Sequence, residues 1–236
     1  PLLVKTAAGL GIKYIAAATN GRVFADFAAA KKITASGITS LIFSVHGSGP
    51  GIHDRLTRSP GSFAELSRGI ENLKKLGFKN IYGNTTVVKP NLPDLGAIAG
   101  FYAERGVRNV EYIFVDPNYG GAFDDFERLV PRISEAAPRI RKALDIGLAA
   151  GFAHLKVRYV PLCHFHGYEE RISEINERKL FFTEHWAPDF KNTDAIASRQ
   201  ALARKKTRRC GGCALYAACE GIWTEYLKHY GDGELH

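Results

Sequence analysis

The sequence contains no methionine, and no apolar run in it approaches the length that crosses a bilayer, which is about 20 residues. The opening apolar stretch, residues 1–4, is too short for the core of a secretory signal peptide, and no cleavage site follows it. Hydrophobic residues make up 45% of the chain and charged residues 24%, as in ordinary globular proteins. We therefore expect a cytoplasmic protein that has no membrane partner.

Motifs of several common functions are also absent. Residues 47–51 are rich in glycine but lack the Gly-Lys-Ser/Thr ending of a phosphate-binding loop. Ser44 lacks the flanking residues of a nucleophile elbow, which argues against a hydrolase of that type. The formal net charge is +8, but no recognition helix or RNA-binding motif accompanies it. Much of the excess lies in residues 199–209, where the pattern favours a solvated helix face over a stripe that binds nucleic acid. We therefore do not expect nucleic acid as a partner.

Short apolar runs alternate with amphipathic stretches as far as residue 117, where the regularity breaks, and one more apolar run follows before residue 160. The runs that predict buried strands are residues 14–18, 40–45, 85–88, 110–115 and 155–160. The stretches that predict helices between the first four are residues 25–36, 63–76 and 92–105, and a glycine follows each of them as a stop. At the second helix, Ser62 and Glu65 have the spacing of a capping box. This order predicts an α/β fold built from βα units around a parallel sheet.

The first four predicted strands all end in small or polar residues, at 19–21, 44–47, 89–91 and 116–118. The carboxyl ends of parallel strands lie at one edge of a sheet, where loops and helix N-termini converge. Any one of these ends is explained as a turn, but four together favour a polar ligand site at that edge.

The chain has four cysteines, of which Cys210, Cys213 and Cys219 are closely spaced and Cys163 follows the last predicted strand. Clustered cysteines in a cytoplasmic protein indicate a metal or redox site rather than disulfides. Four thiolates suit either a cubane iron–sulfur cluster or a structural zinc ion, and their spacing does not decide between the two. The two glycines after Cys210 predict a tight turn, and the basic residues before it would offset the negative charge of a thiolate-ligated centre. Further candidate ligands are His164, His166 and His229.

These features together resemble the radical S-adenosylmethionine (radical SAM) enzymes over almost the whole chain. The residues that carry the resemblance are 19–21, the strand end 43–47, the segments 53–57 and 60–63, and residues 84–91. The tail from Cys210 through Trp223 to Tyr226 is similar to the short auxiliary-cluster domain, of the twitch or SPASM type, that a subset of the family carries.

The resemblance implies a partial (β/α)6 TIM barrel over residues 1–160 and an auxiliary iron–sulfur cluster domain over residues 161–236. Family enzymes reductively cleave S-adenosylmethionine (SAM) at a [4Fe-4S] cluster, and the resulting 5′-deoxyadenosyl radical abstracts hydrogen from a substrate. By this resemblance, Asn20, Ser44 and Asn84 would bind SAM. Further candidates for that role are His46, Lys89 and Asn91. The ligands of one shared auxiliary [4Fe-4S] cluster would be Cys163, Cys210, Cys213 and Cys219. The expected partners are a small-molecule or peptide substrate and a reductant such as flavodoxin or ferredoxin.

The sequence departs from the family where the catalytic cluster would be held. The family's Cys-x3-Cys-x2-Cys segment after the first strand is missing, and so is the Gly-Gly-Glu motif after the second. A fragment of a longer enzyme, beginning in the helix before the third strand, would explain both departures, and a degenerate relative is the alternative. Two interpretations without catalysis also stay open: a zinc-stabilised βα binding domain and a barrel-derived scaffold.

Overall fold

The computed structural model describes residues 1–180, 184–186 and 191–236. The chain forms two compact units, one of residues 1–112 and 142–155 and the other of residues 113–141 and 156–236. The predicted boundary near residue 160 lies close to the last of these junctions, and the second unit also includes residues 113–141. None of the described helices combines the length and the apolar character that a bilayer crossing requires.

The main sheet has five strands. In sheet order these are β1 (Ala16–Thr19), β2 (Ser40–Ser44), β3 (Ile81–Val87), β4 (Asn109–Phe114) and β5 (His154–Arg158). β2 pairs in parallel with both β1 and β3. Each strand lies beside its predecessor in the chain, which is the strand order of a β/α barrel. The predicted α/β class with a parallel βα array is therefore confirmed.

Helices follow the strands as the alternating pattern predicts. Those of the first part of the chain are α1 (Leu2–Gly9), α2 (Phe27–Thr34), α3 (Pro50–Thr57), α4 (Ser62–Lys75) and α5 (Leu95–Glu104). Those of the later part are α6 (Gly120–Asp124), α7 (Phe126–Leu129), α8 (Ile133–Ala149), α9 (Ser173–Leu180), α10 (Ala195–Ser198) and α11 (Thr224–Tyr230). Four short strands form two antiparallel pairs. β6 (His185–Trp186) pairs with β7 (Lys191–Asn192), and β8 (Arg204–Lys205) pairs with β9 (Ile222–Trp223).

Strand β3 begins at Ile81, whereas the sequence predicts its start at residue 85. Gly83 and Asn84 suggest a turn, but Gly83 serves packing inside the strand. A Cβ atom at this position would lie 2.3 Å from the ring of Tyr102, which is fully buried on α5. The glycine therefore lets an aromatic ring pack directly against the strand, and Asn84 lies within β3.

The predicted capping box of α4 does not form. The helix begins at Ser62, whose side chain bonds neighbouring side chains and caps nothing. The start of α4 is bonded instead by the carboxylate of Asp54 on α3, which accepts from the backbone N–H groups of Gly61 (2.7 Å) and Phe63 (2.8 Å). Glu65 pairs with Arg22. A carboxylate from the preceding helix thus satisfies backbone donors at the start of α4, and the serine does not.

The two faces of β2 differ in burial. Leu41 and Phe43 are almost fully buried, whereas Ser40, Ile42 and Ser44 on the alternate positions are half-buried. Successive side chains of a strand point to opposite faces of the sheet. The sheet therefore has one packed face and one more open face, and Ser44 at the end of β2 and Asn84 in the middle of β3 lie on the open one.

Candidate functional site

The three residues predicted to bind SAM lie at one level of the sheet in the first unit. Ser44, the last residue of β2, is the register partner of Asn84 in β3. Thr19 is the partner of Phe43, so Asn20, the next residue along, continues the same row past the end of β1. Partners in parallel strands point to the same face. The row crosses the carboxyl ends of β1 and β2 and the middle of β3, on the open face.

The loop after β2 is held by side chains from elsewhere in the first unit. The backbone N–H of His46 donates to His53 Nδ1 (3.1 Å). The side-chain amide of Asn91 donates to the carbonyls of His46 (3.2 Å) and Thr86 (2.9 Å), and its oxygen accepts from the N–H of Val88. Asn91 is fully buried and its hydrogen-bonding groups are engaged within the loop, so it fixes the loop and does not face a ligand.

His46 is held neutral by its surroundings. Burial, and to a smaller extent the neighbouring His53, whose ring stacks on it at 5.9 Å, lower the pKa of its imidazole to about 4. A neutral imidazole can accept or donate a hydrogen bond but carries no positive charge. At neutral pH the end of β2 therefore presents a polar, uncharged side chain.

All four cysteines line one cavity in the second unit, with a volume of about 20 Å³. Cys163 lies in the short 3₁₀ turn Leu162–His164 after β5. The thiols also influence one another: burial raises the pKa of Cys163, and the nearby Cys219 and Cys210 raise it further. The structure thus places all four cysteines that the sequence singles out around one cavity, across a long separation in the chain.

The predicted histidine ligands do not join the cysteines. Among the described residues that line the cavity, His164, His166 and His229 are not found. His164 Nε2 instead lies 2.8 Å from the carbonyl oxygen of Glu234. His236 does line the cavity. The spacing of the cysteines does not single out His236, because it lies 17 residues after Cys219.

The glycines near the cysteines have a different role from the one predicted. A Cβ atom at Gly211 or Gly212 would meet nothing within 4 Å, so the turn after Cys210 does not require them. Gly221 has a positive φ of +83°, and a Cβ atom there would lie 2.2 Å from the carbonyl oxygen of Lys205. Its N–H donates to the sulfur of Cys219 (3.3 Å). Gly221 is therefore the glycine that the cysteine loop requires.

By residue type, four thiols suit either an iron–sulfur cluster or a structural zinc ion. Among the described residues, no three Cys, His, Asp or Glu side chains are arranged to hold a metal ion. The cysteines that line the cavity therefore supply the donor atoms of either centre.

A belt of six charged side chains lies in the same unit as the cysteines. Its members are Arg158, Arg199, Arg204, Glu174, Glu177 and Glu220. Arg199 donates two hydrogen bonds of 2.9 Å to the carboxylate of Glu220 and one of 3.0 Å to Glu177. Glu177 also accepts from Arg158 (2.7 Å). The belt has three positive and three negative side chains, and their mutual attraction offsets part of the cost of removing these charges from water.

Arg204 contradicts the prediction that the basic run is a solvated helix face. It lies in β8, paired with Trp223 of β9, and only 3% of it is exposed. The neighbouring Lys205 is exposed, as expected for the other face of a strand. Alternation on a two-residue strand leaves no periodic signal in the sequence, so the buried position could not be recognised there.

The strand end at residues 116–118 anchors the tail that carries the cysteines. Asn118 donates to the carbonyl of Ala203 (3.1 Å) and accepts from the side chain of Thr224 and the N–H of Glu225 (both 3.1 Å). Further along, the hydroxyl of Tyr226 accepts from the N–H of Ile133 (2.8 Å). The polar residues after β4 therefore serve tertiary structure within the second unit.

No family model matches the chain. Over 91 residues, which are 39% of this chain and 23% of the relative, it is 34% identical to an AdoMet-dependent heme synthase of Oleidesulfovibrio alaskensis. The chain thus spans about a quarter of the length of this curated relative.

Among solved structures, the chain is similar to native anSMEcpe with bound AdoMet and Cp18Cys peptide. The TM-score is 0.49 and the identity 17%, over 62% of this chain and 41% of that one. For native anSMEcpe with bound AdoMet alone the TM-score is 0.46 and the identity 15%, over 62% and 40% of the two chains. The stretch of sequence similarity to an AdoMet-dependent enzyme agrees with the resemblance to the radical SAM family.

Proposed function

We propose that this chain is part of a radical SAM enzyme and that its four cysteines hold an auxiliary [4Fe-4S] cluster. The observation that carries the proposal is the meeting of Cys163, Cys210, Cys213 and Cys219 around one cavity, since these are all the thiols of the chain. The similarity to an AdoMet-dependent heme synthase supports the SAM part of the proposal.

The first unit supplies the proposed SAM contacts. Asn20, Ser44 and Asn84 form a row of short polar side chains on the open face of the sheet, where they can donate and accept hydrogen bonds. Ligands of parallel α/β folds bind at the carboxyl ends of the strands, and two of the three residues lie at such an end. The chemistry that a catalytic cluster supplies in this family is reductive cleavage of SAM, and these residues would orient the SAM molecule.

The cavity in the second unit would hold the auxiliary cluster with all four positions closed by thiolates. Cys163 would provide the fourth ligand from the turn after β5. Lys206 also lines the cavity, and its positive charge would partly offset the negative charge of the four thiolates. The partners of the whole enzyme would be a small-molecule or peptide substrate and a reductant of the flavodoxin or ferredoxin class.

The test is anaerobic reconstitution of the full chain with iron and sulfide. We expect about four iron and four sulfide ions per chain, with a reducible cluster visible by electron paramagnetic resonance. Purified chain that takes up one zinc ion and no iron would reject the cluster and favour the zinc-stabilised binding domain instead. Binding of SAM to the same protein, measured by calorimetry, should weaken in Ser44→Ala and Asn84→Ala variants. The matched control is Ser40→Ala, since Ser40 lies on the same face at the other end of β2.

A further inference from the structure

Arg204 is buried beside the cysteine cavity with its charge incompletely neutralised. Its side chain is 0% exposed, and the nearest oxygen of Glu174 is 3.9 Å from its Nη1 atom, beyond hydrogen-bond distance. Among the described residues, its Nε and Nη1 atoms have no hydrogen-bond partner. Burial lowers the pKa of Arg204, and Glu174 acts in the opposite direction. An arginine stays protonated in proteins even when buried, so a positive charge lies inside the second unit.

The Nη2 atom of this guanidinium is directed at the cysteine loop. Arg204 Nη2 donates to the carbonyl oxygen of Gly221, and Gly221 in turn donates its N–H to the sulfur of Cys219. The same guanidinium packs over the ring of Trp223, 4.7 Å from its centre. Arg204 is therefore fixed in place by the residues that follow Cys219, and a single residue, Gly221, bridges its guanidinium to that sulfur.

Two of the three arginines of the belt are hydrogen-bonded to carboxylates. Glu220, which adjoins Cys219 in the chain, accepts two hydrogen bonds from Arg199, and Glu177 accepts one from Arg158. Arg204 has no carboxylate within hydrogen-bond distance, and its nearest, Glu174, accepts from the backbone N–H of Tyr159. In a low-dielectric interior, a charge acts over several ångströms with little screening. Arg204 is therefore the incompletely neutralised cation of the belt, and its charge lies close to the cysteine loop.

We propose that Arg204 is a positioning residue that sets the reduction potential of the iron–sulfur cluster at the four cysteines. The inference rests on the proposed function and extends it. Reduction adds one electron, delivered by the flavodoxin- or ferredoxin-class donor, and one negative charge to the cluster and its thiolates. A fixed positive charge behind Cys219 stabilises that added charge, so Arg204 makes the cluster easier to reduce.

The experiment compares two variants in which residue 174 carries the same charge and residue 204 does not. Removing Arg204 alone would leave Glu174 buried without its counter-charge, and the carboxylate would take up a proton and mask the effect. The informative pair is therefore Glu174→Gln and the double variant Glu174→Gln/Arg204→Met, each reconstituted as the full chain. The midpoint potential of each is measured by a redox titration followed by electron paramagnetic resonance.

We expect the double variant to be about tenfold harder to reduce than Glu174→Gln, which for one electron is a potential lower by ~59 mV. Arg204→Lys keeps the charge and should keep the wild-type potential, even if it lowers stability. The matched control is Arg209→Met, because Arg209 adjoins Cys210 but is 55% exposed and paired with Asp232. Solvent screens such a charge, so the cluster of this variant should have the midpoint potential of the wild type.

Iron and sulfide analysis separates the ways in which the inference could fail. Equal cluster content but equal potentials in the two informative variants would overturn the role of Arg204 and leave the proposed function intact. A shift of the same size in Arg209→Met would mean that any nearby charge acts, and would also overturn it. Wild-type chain that holds no iron–sulfur cluster would reject the proposed function and the inference together.

Discussion

Cys163 is the cysteine most distant in sequence from the other three. Its substitution is therefore the most direct test of the proposed shared cluster site. We expect Cys163→Ser to reduce the iron and sulfide content after reconstitution to less than about half, because a hydroxyl is a poor ligand for iron compared with a thiolate. Iron and sulfide analysis together with the visible absorption of the cluster measures this.

The control for Cys163→Ser is Tyr216→Phe, which alters another residue of the cavity lining without removing a thiol. It should retain the cluster. Full iron and sulfide content in Cys163→Ser would show that Cys163 is not a ligand, and the fourth position would then need another donor, such as His236.

His46 makes the stability of the first unit depend on pH. Its pKa is about 4 in the folded chain against about 6.5 when unfolded. Between these values the unfolded chain binds more protons, so the free energy of unfolding falls as the pH is lowered from about 6.5 to about 4. His53, whose pKa burial also lowers, contributes in the same direction, and the adjacent Asp54 opposes this effect on His53.

We therefore expect His46→Gln to flatten the pH dependence of stability, by up to ~1.4 kcal/mol per pH unit, in urea unfolding measured at several pH values between 4.5 and 7. The backbone hydrogen bond from residue 46 to His53 does not need the His46 side chain. An exposed histidine, His185, provides the control, and His185→Gln should leave the slope unchanged. An unchanged slope in His46→Gln would contradict the burial effect.

At the residue scale, the sequence identifies chemistry-bearing groups better than it identifies their neighbours. The cysteines are recognisable because metal ligation demands a rare residue type at short spacing. Arg204 is not recognisable, because its burial depends on Trp223 and Glu174, which the chain brings to it from either side. The role of Asn91 is not recognisable either. It resembles a ligand-binding residue, but its side-chain amide donates to two backbone carbonyls.

The strand pair β8–β9 is the element that fixes the cysteine loop, and Gly221 is its most sensitive position. Gly221→Ala places a Cβ atom against the carbonyl oxygen of Lys205 at a positive φ. We expect it to lower the free energy of unfolding by more than about 1 kcal/mol and to lower cluster content. Thermal unfolding followed by circular dichroism, with iron analysis, measures both.

Gly211→Ala is the matched control for Gly221→Ala, since it also lies near the cysteines but has open space around its α-carbon. It should leave stability and cluster content close to wild type. If both variants behave alike, the steric role assigned to Gly221 is wrong.

At the element scale, the alternation of apolar runs predicts strands β1, β2, β4 and β5 to within a few residues. Buried strands and amphipathic helices leave their period in the sequence locally. The start of β3 is missed because a tertiary contact, the packing of Tyr102 on Gly83, determines it. The start of α4 is misassigned for a related reason, since its cap comes from Asp54 on another helix.

For the whole molecule, we predict that this chain on its own does not cleave SAM. Reductive cleavage in this family uses a cluster held by three cysteines, which leaves one iron open for SAM. All the cysteines of this chain line one cavity, where a fourth thiolate would close that position. Reconstituted chain with dithionite and SAM should yield no more 5′-deoxyadenosine, by liquid chromatography, than the cluster-free protein does. Clear production would mean that the cavity itself holds the catalytic cluster.

The hydrogen bonds that anchor the cysteine tail also set the order of events during synthesis. The bond between Ile133 and Tyr226 spans 93 residues of sequence, and that between Asn118 and Glu225 spans 107. A ribosome adds about 5–20 residues per second, so the segment after β4 waits roughly 5–20 s for its partners. Cys163 emerges in that interval without the other three thiols. Insertion of the proposed cluster would therefore follow translation of the tail, because Cys163 emerges before Cys210, Cys213 and Cys219.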